Sequence, residues 1–228
     1  MAVSRRRVLQ VVGGLTGGIL GAGTIGFVWL RRIFDPKTPL DYPFPDNPDN
    51  SGLSAALPPT PGCGETDVTE SQIEGPFYTP NTPLRADLRE RATVGTPLVI
   101  QGRVLSTDCR LIAGAVLDIW SCDGAGVYDN DGFNLRGHQF TDSQGAFRVE
   151  TVKPGDYRQF GAHRTPHVHV KVQGRETSLL TTQLYFPGEP LNAQDSLFNE
   201  ALVLTVERAP DGSLRALFDF VLAPRANA

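Results

Sequence analysis

Two histidines, His167 and His169, stand one residue apart in the stretch Arg164-Thr165-Pro166-His167-Val168-His169. In a β-strand, side chains at i and i+2 point to the same face. Two imidazoles about 7 Å apart at the α-carbon level can then converge on one metal ion. Val168, Val170 and Val172 alternate with them and suit a core on the opposite face. Two ordinary histidines in a half-buried strand would look the same, because so short a motif recurs by chance.

Two tyrosines extend the pattern. Tyr128 follows Gly126-Val127, just after a strand, and Tyr157 ends the turn Pro154-Gly155-Asp156 before the histidine strand. Loops commonly display functional groups. A phenol has a pKa near 10 and ligates a metal only when a strong Lewis acid such as Fe(III) removes its proton. Two tyrosinates, two neutral imidazoles and a hydroxide would make a charge-balanced, mononuclear, non-haem ferric site. The commoner fate of a tyrosine is packing with its hydroxyl bonded locally. A second candidate set joins His167 and His169 with Asp142 or Asp156 as an Fe(II) two-histidine, one-carboxylate site. A third reading is a non-catalytic β-sandwich that binds an aromatic ligand or a protein, since that architecture serves many functions.

The elements that must position these residues are strands. Leu98–Leu105, Gly114–Trp120, Ala146–Val152, His167–Val172, Leu179–Phe186, Leu202–Val206 and Leu214–Leu222 read as β. Turn signals stand between them at Asp131-Gly132, Ser143–Gly145, Pro154-Gly155, Pro187-Gly188 and Asp211-Gly212. The pattern predicts an all-β fold, an antiparallel β-sandwich of about seven or more strands. Only a short helical turn near Ser196–Glu200 is expected within it.

Three regions divide the 228 residues. Residues 1–34 read as a twin-arginine export signal or membrane anchor. Ser4-Arg5-Arg6-Arg7-Val8-Leu9 carries the signature, a glycine-rich apolar run of about 23 residues follows to Leu30, and Arg31-Arg32 closes it. The run is long enough to span a bilayer and lacks a small-residue cleavage site, which favours a retained apolar helix outside the domain. This predicts a periplasmic or other extracytoplasmic protein with a membrane tether. Residues 35–64 are a proline-rich linker that would be extended and hold the domain away from the membrane. Residues 65–228 form one domain, large enough to bury a core. The net charge of −4 and the absence of a basic stripe argue against nucleic acid as a partner. Cys63, Cys109 and Cys122 show no metal-binding or redox spacing. Cys109 and Cys122 flank one extended strand, about 20 Å apart, too far for a disulfide. Cys63 could pair with either in an oxidising compartment.

From Glu70 to Pro187, five blocks resemble the intradiol ring-cleavage dioxygenases, the family of protocatechuate 3,4-dioxygenase and catechol 1,2-dioxygenase. Glu74-Gly75-Pro76-Phe77-Tyr78 resembles its entry motif. Val116–Trp120 followed by Gly126-Val127-Tyr128 resembles the first ligand block. Arg136–Asp142, Gly145 and Thr151–Tyr157 resemble the central block. Arg164–His169 is similar to the histidine motif, and Thr182–Phe186 to the strand behind the site. The resemblance implies that Tyr128, Tyr157, His167 and His169 bind Fe(III), with Tyr157 the ligand released when substrate chelates. It makes Arg164 the residue that stabilises charge developing on the ring. It places Gln183, Gly75, Pro76 and Tyr78 at the substrate pocket. The implied partners are a small aromatic diol and O2, and the implied product is a muconate-type diacid. Between Tyr157 and Arg164 the sequence is shorter than in some relatives. It brings His163, read as a loop or pocket residue, while His138 is read as structural or behind the ligands. The particular catechol is not written in these motifs, and a homo-oligomer is compatible with them.

Overall fold

The computed structural model describes residues 39–45, 63, 67–90 and 93–226. The twin-arginine segment, the apolar run expected as a helix and most of the linker lie outside the described residues. No helix among the described residues is long and apolar enough to cross a membrane.

The domain is all-β. Its strands are β1 (Pro97–Ser106), β2 (Val116–Trp120), β3 (Arg136–Phe140), β4 (Ala146–Val152), β5 (Tyr157–Gln159), β6 (Ala162–Arg164), β7 (His167–Gln173), β8 (Leu180–Tyr185), β9 (Thr205–Arg208), β10 (Leu214–Leu217) and β11 (Phe220–Leu222). One sheet runs β3-β2-β7-β8, antiparallel throughout. The other is built on β1, with β4 antiparallel on one side and β10 and β11 parallel on the other; β9 pairs with β10. A small ribbon, β5-β6, stands apart from both. The expected sandwich is there, with two parallel pairings added. Parallel neighbours need a long crossover, and the whole of the first sheet lies in sequence between β1 and β10.

The core is the space between the sheets. Along β1 the burial alternates, so Leu98, Ile100 and Val104 turn inward. They meet Phe147 and Val149 from β4, Phe220 from β11, and Leu117, Ile119, Val168, Val170 and Leu184 from the first sheet. Each fully buried aliphatic side chain contributes about 1.5–3 kcal/mol. The three valines of β7 therefore face the core, as their alternation with the histidines predicts.

Three local differences have physical causes. Strand β3 reads Arg-Gly-His-Gln-Phe and shows no apolar alternation, yet its first four residues are buried, which is why periodicity passes over it. The expected strand Leu202–Val206 begins instead as a 3-10 turn, Glu200–Leu202, capped by the Asn199 side chain accepting from the Ala201 amide; Val203 makes a single bridge to Tyr185, and the regular strand is Thr205–Arg208. The expected strand Leu214–Leu222 is split at Phe218-Asp219, where the Asp219 carboxylate accepts the Arg103 amide at 2.6 Å.

Part of the linker is not a free spacer. Residues 39–45 are extended but docked. The Tyr42 ring stacks on His138 with centroids 3.8 Å apart, and its hydroxyl donates to Asp118 Oδ2 at 3.1 Å. Arg175 Nη2 donates to the Phe44 and Pro45 carbonyls at 3.1 and 3.2 Å. Cys63 forms a disulfide with Cys109, Cα–Cα 5.3 Å, and Cys122 is a buried thiol.

The disulfide ties the end of the linker to the turn after β1. It closes a loop with a sequence separation of 46, so chain entropy gives it up to about 4 kcal/mol. Replacing Cys109 with Ser should lower the unfolding free energy by roughly 2–4 kcal/mol in urea titrations. Equal midpoints for the two proteins would show that the bridge closes nothing in solution.

Candidate metal centre

Register decides what surrounds the two histidines. His169 pairs with Trp120 on one side and Gln183 on the other; Lys171 pairs with Asp118 and Thr181; His167 pairs with Tyr185. Trp120 and Asp118 pair in turn with Arg136 and His138 of β3. Directly paired residues share a face of the sheet. So one face is the valine-rich core side, and the other gathers the imidazoles, the aromatics and the charges. That second face is buried too, because residues 70–85 cross over it. Gln72 N donates to the Thr181 carbonyl at 2.7 Å over β8, and at the far side Arg85 N and His138 N exchange bonds with His138 and Pro83 carbonyls at 3.0 Å over β3. Between these ends, Glu74 pairs with Lys171 at 2.6 Å, Tyr78 Oη donates to Asp118 Oδ2 at 2.8 Å, and Thr82 Oγ1 donates to Asp118 Oδ1 at 2.8 Å.

Three of the four expected ligands are drawn together by direct short contacts. His167 Nε2 lies 3.2 Å from His169 Nε2 and 3.3 Å from the Tyr157 hydroxyl. His167 Nδ1 lies 2.6 Å from the Thr165 carbonyl. That acceptor calls for the proton on Nδ1 and leaves the Nε2 lone pair for a metal. His169 is held flat against Trp120, centroids 4.8 Å apart and 9° between planes. Tyr128 meets Tyr157 edge to face at 5.4 Å and stacks on Phe77 at 4.0 Å. The Tyr128 hydroxyl is buried with no well-directed hydrogen bond among the described residues.

The electrostatics suit a cation. Burial, then the Arg164 charge, pushes His167 down to about 3, and burial followed by the neighbouring His167 pushes His169 well below the usual histidine range. Both imidazoles are therefore neutral donors at neutral pH. Burial raises both phenols, with the Tyr157 charge adding to the rise at Tyr128, while Arg164 opposes the rise at Tyr157. Buried phenols that resist ionisation become tyrosinates only beside a strongly acidic metal. The donor set of two neutral nitrogens and two phenol oxygens, one of them orphaned, fits ferric iron. The carboxylate alternative does not assemble. Among the described residues no three of His, Cys, Asp and Glu form a group that could hold a metal. Asp142 accepts the Gln144 and Ala146 amides at 2.8 Å in the turn beyond β3, and Asp156 pairs with His163 at 2.5 Å.

Backbone fit fixes the two tyrosines. Gly126 has φ +80°, and a β-carbon there would lie 2.3 Å from the Asp156 carbonyl oxygen and 3.3 Å from Tyr157 Cβ. The Asp123 carbonyl accepts both Gly126 N at 3.0 Å and Gly155 N at 2.8 Å. The two loops thus interlock, and that lock sets Tyr128 against Tyr157. Tyr157 is not in the turn where the sequence put it; it opens β5 and pairs with Arg164 across the ribbon. Gly75 has φ +75°, and a β-carbon there would stand 3.3 Å from His169 Cε1. The backbone before Pro76 therefore passes directly over the ligand.

The structure distributes the remaining expected residues as follows. Arg164 is buried, with Nε donating to Asp195 Oδ2 at 2.9 Å and Nη2 to Gln183 Oε1 at 2.6 Å. Gln183, fully buried, also donates to the Ile73 carbonyl at 3.0 Å. Tyr78 lies behind Trp120, centroids 4.7 Å apart, under the Lys171 ammonium at 4.6 Å, with its hydroxyl on Asp118. It braces the tryptophan that carries His169. His138 bonds the Thr82 carbonyl at 2.8 Å, behind the ligands. Sequence reasoning missed Asp195, Tyr185 and the Glu74–Lys171 pair. The last could have been found, since Lys171 continues the i, i+2 face of the histidines into a strand with an apolar back; Asp195 carried no local signal.

The dioxygenase family model matches residues 73–224. The chain is 32% identical over 172 residues to chlorocatechol 1,2-dioxygenase of Pseudomonas putida, covering 66% of this chain and 66% of that protein. It is 29% identical over 158 residues to catechol 1,2-dioxygenase of Candida albicans, covering 59% of this chain and 52% of that one. It also resembles the solved dioxygenase domain of a dioxygenase–carbohydrate-binding protein fusion from the cellulolytic bacterium Streptomyces sp. SirexAA-E. There the TM-score is 0.64 and the identity 44%, over 68% of this chain and 98% of that one. The chain spans about half to two thirds of the length of the two curated relatives named here.

The interlock at Gly126 is open to test. Gly126→Ala adds a left-handed backbone cost of about 1–2 kcal/mol to a steric clash of about 1–3 kcal/mol. Gly212→Ala, at φ +85° with open space around it, incurs only the first. The expected result is a larger fall in unfolding midpoint for the Gly126 variant than for the Gly212 variant. Equal effects in both would mean that the loop contact does not hold the tyrosines.

Proposed function

Because the chain belongs to the dioxygenase family across residues 73–224, we propose that it is a mononuclear non-haem Fe(III) dioxygenase of the intradiol type. It would cleave a catechol-type diol between its two hydroxylated carbons with O2 and yield a muconate-type diacid. One observation carries the proposal: two neutral, buried imidazoles whose Nε2 atoms lie 3.2 Å apart, with the Tyr157 hydroxyl 3.3 Å from one of them and Tyr128 beside it. Relatives named for catechol, chlorocatechol and hydroxyquinol support a substrate in the class of 1,2-diols on an aromatic ring.

Ferric iron held by Tyr128, Tyr157, His167 and His169 would supply Lewis acidity and a template for the two substrate oxygens. The protein's own groups do the rest. His167 and His169 remain neutral because they are buried, so they add no charge to the site. A catechol bound as a dianion would shed two protons: the Tyr157 phenolate oxygen would take one as a general base, and the hydroxide that balances the charge of the site would take the other. Its ribbon favours that role, since β5 is only three residues long and pairs solely with β6. Arg164 holds a permanent positive charge close enough to oppose the rise that burial causes at the Tyr157 phenol, and the same charge would stabilise electron density that develops on the ring. Trp120, Phe77 and the crossing segment exclude water from the ligands, which strengthens each of these interactions.

The export signature in Ser4–Leu9 supports a location outside the cytoplasm for the proposed enzyme, with the apolar run as its tether. The Cys63–Cys109 disulfide supports that setting, because such bridges persist in oxidising compartments.

Iron-loaded protein should be visibly coloured through its tyrosinates and should consume O2 with at least one of catechol, chlorocatechol and hydroxyquinol. Tyr157→Phe should keep part of the colour through Tyr128, whereas Tyr128→Phe should lose metal and turnover together. A colourless, iron-replete wild type with no O2 uptake on that panel would defeat the proposal. Arg164→Ala should reduce kcat by about 10²–10³ with iron content unchanged; iron lost in step with activity would make Arg164 structural instead.

A further inference from the structure

Arg164 ends a three-residue strand, and nothing in that strand fixes its guanidinium. The loop 187–199 does so through one carboxylate. Asp195 Oδ2 accepts Arg164 Nε at 2.9 Å and, with the same oxygen, the Thr165 amide at 2.9 Å. Its Oδ1 accepts the Leu197 amide at 2.9 Å, which anchors the carboxylate to its own loop. The side chain is 1% exposed. The Thr165 carbonyl, on the residue so held, is the acceptor 2.6 Å from His167 Nδ1. The Thr165 hydroxyl is held as well, donating to Asn192 Oδ1 at 2.7 Å, and Asn192 Nδ2 donates to the Phe186 carbonyl at 2.9 Å. Gln183 Oε1 takes Arg164 Nη2 at 2.6 Å. Two of the three guanidinium nitrogens, Nε and Nη2, are thereby fixed by Asp195 and Gln183.

We propose that Asp195 is a positioning residue of this site. Its carboxylate sets the direction in which Arg164 presents its charge. The chemistry favours this over a simple loop staple. A staple needs an acceptor for Leu197 and Thr165, which a neutral amide oxygen could supply in part. A buried anion is costly unless a cation answers it, and the cation here is the one group the proposed reaction needs charged. The inference rests on the proposed function in that respect: Arg164 must serve turnover for its direction to matter. Partners that orient the groups of a metal site typically change affinity or activity by about 10–100-fold when removed.

A double-mutant cycle on the iron-loaded protein separates the two roles. D195N preserves the shape and removes the charge. Its kcat per bound iron should fall by about 10–100-fold, with KM changed far less, because charge on the ring develops after binding. Iron content and visible colour should stay at the wild-type level. If Asp195 acts through Arg164, the D195N/R164A double variant should be no slower than R164A alone. Multiplying effects, or a D195N turnover within about twofold of wild type, would reduce Asp195 to a loop staple and overturn the proposal. Where D195N yields no folded protein, D195E, which keeps the charge but displaces it, enters the cycle with the same expectations. A wild type that opens no catechol at all would instead overturn the proposed function, and the role of Asp195 with it; a wild type that is active while the cycle is additive overturns the role of Asp195 alone.

Discussion

A buried sheet face made of polar and charged side chains is the constraint on which this structure depends. Sandwiches ordinarily bury one face of each sheet and leave the other to water. Here the first sheet carries His167, His169, Lys171, Asp118, His138 and Arg136 on its outward face, and all of them are buried. An unpaired polar group in that position costs about 1–3 kcal/mol, and an unpaired charge more. The crossing segment 70–85 meets that demand contact by contact. Glu74 answers Lys171, Tyr78 and Thr82 answer Asp118, and the Pro83 carbonyl answers the His138 amide. Even the linker contributes, through the Tyr42 hydroxyl on Asp118.

The reactive character of the site follows from that burial. Burial pushes the Asp118 carboxyl up to about 6 against the bonds from Thr82, Tyr78 and Tyr42 and the charge of Lys171. The same desolvation keeps His167 and His169 neutral and holds the Tyr128 and Tyr157 phenols in their protonated form. A water-filled cleft would leave the imidazoles near their ordinary pKa and open to protons. The cover therefore completes the fold and also prepares the donors. Glycine at position 75 is what lets the cover come close enough, since a β-carbon there would stand 3.3 Å from His169 Cε1.

Mobility and rigidity are divided in the same way. His167, His169 and Trp120 sit on central strands with neighbours on both sides. Tyr157 sits on the two-stranded ribbon, which has few partners beyond the loop interlock at Gly126 and Gly155. Local opening is cheapest where a segment has few buried contacts. Tyr157, the tyrosine proposed to be released, thus sits on an element with one strand partner.

Much of this was legible in the sequence, for reasons that are local. The alternation of His167 and His169 with Val168, Val170 and Val172 fixed a strand with a core face and a ligand face, because side-chain direction in a strand has a period of two. The five motif blocks named the family, and they drew attention to Tyr128, Tyr157, Arg164 and Gln183, which the fold brings close to the two histidines or to one another. Strand β3 was hidden because both of its faces are buried and one of them is polar, so hydropathy had no period to show. The division of Leu214–Leu222 was hidden because its cause, the Asp219 bond to Arg103, spans 116 residues. Asp195 lies 31 residues from Arg164 in a loop with no pattern, and Tyr42 lies 76 residues from Asp118. Sequence determines which residues can share a face of one strand; only the tertiary structure decides which distant carboxylate, carbonyl or ring must come to that face, since a buried polar group is satisfied by whatever the folded chain brings within about 3 Å.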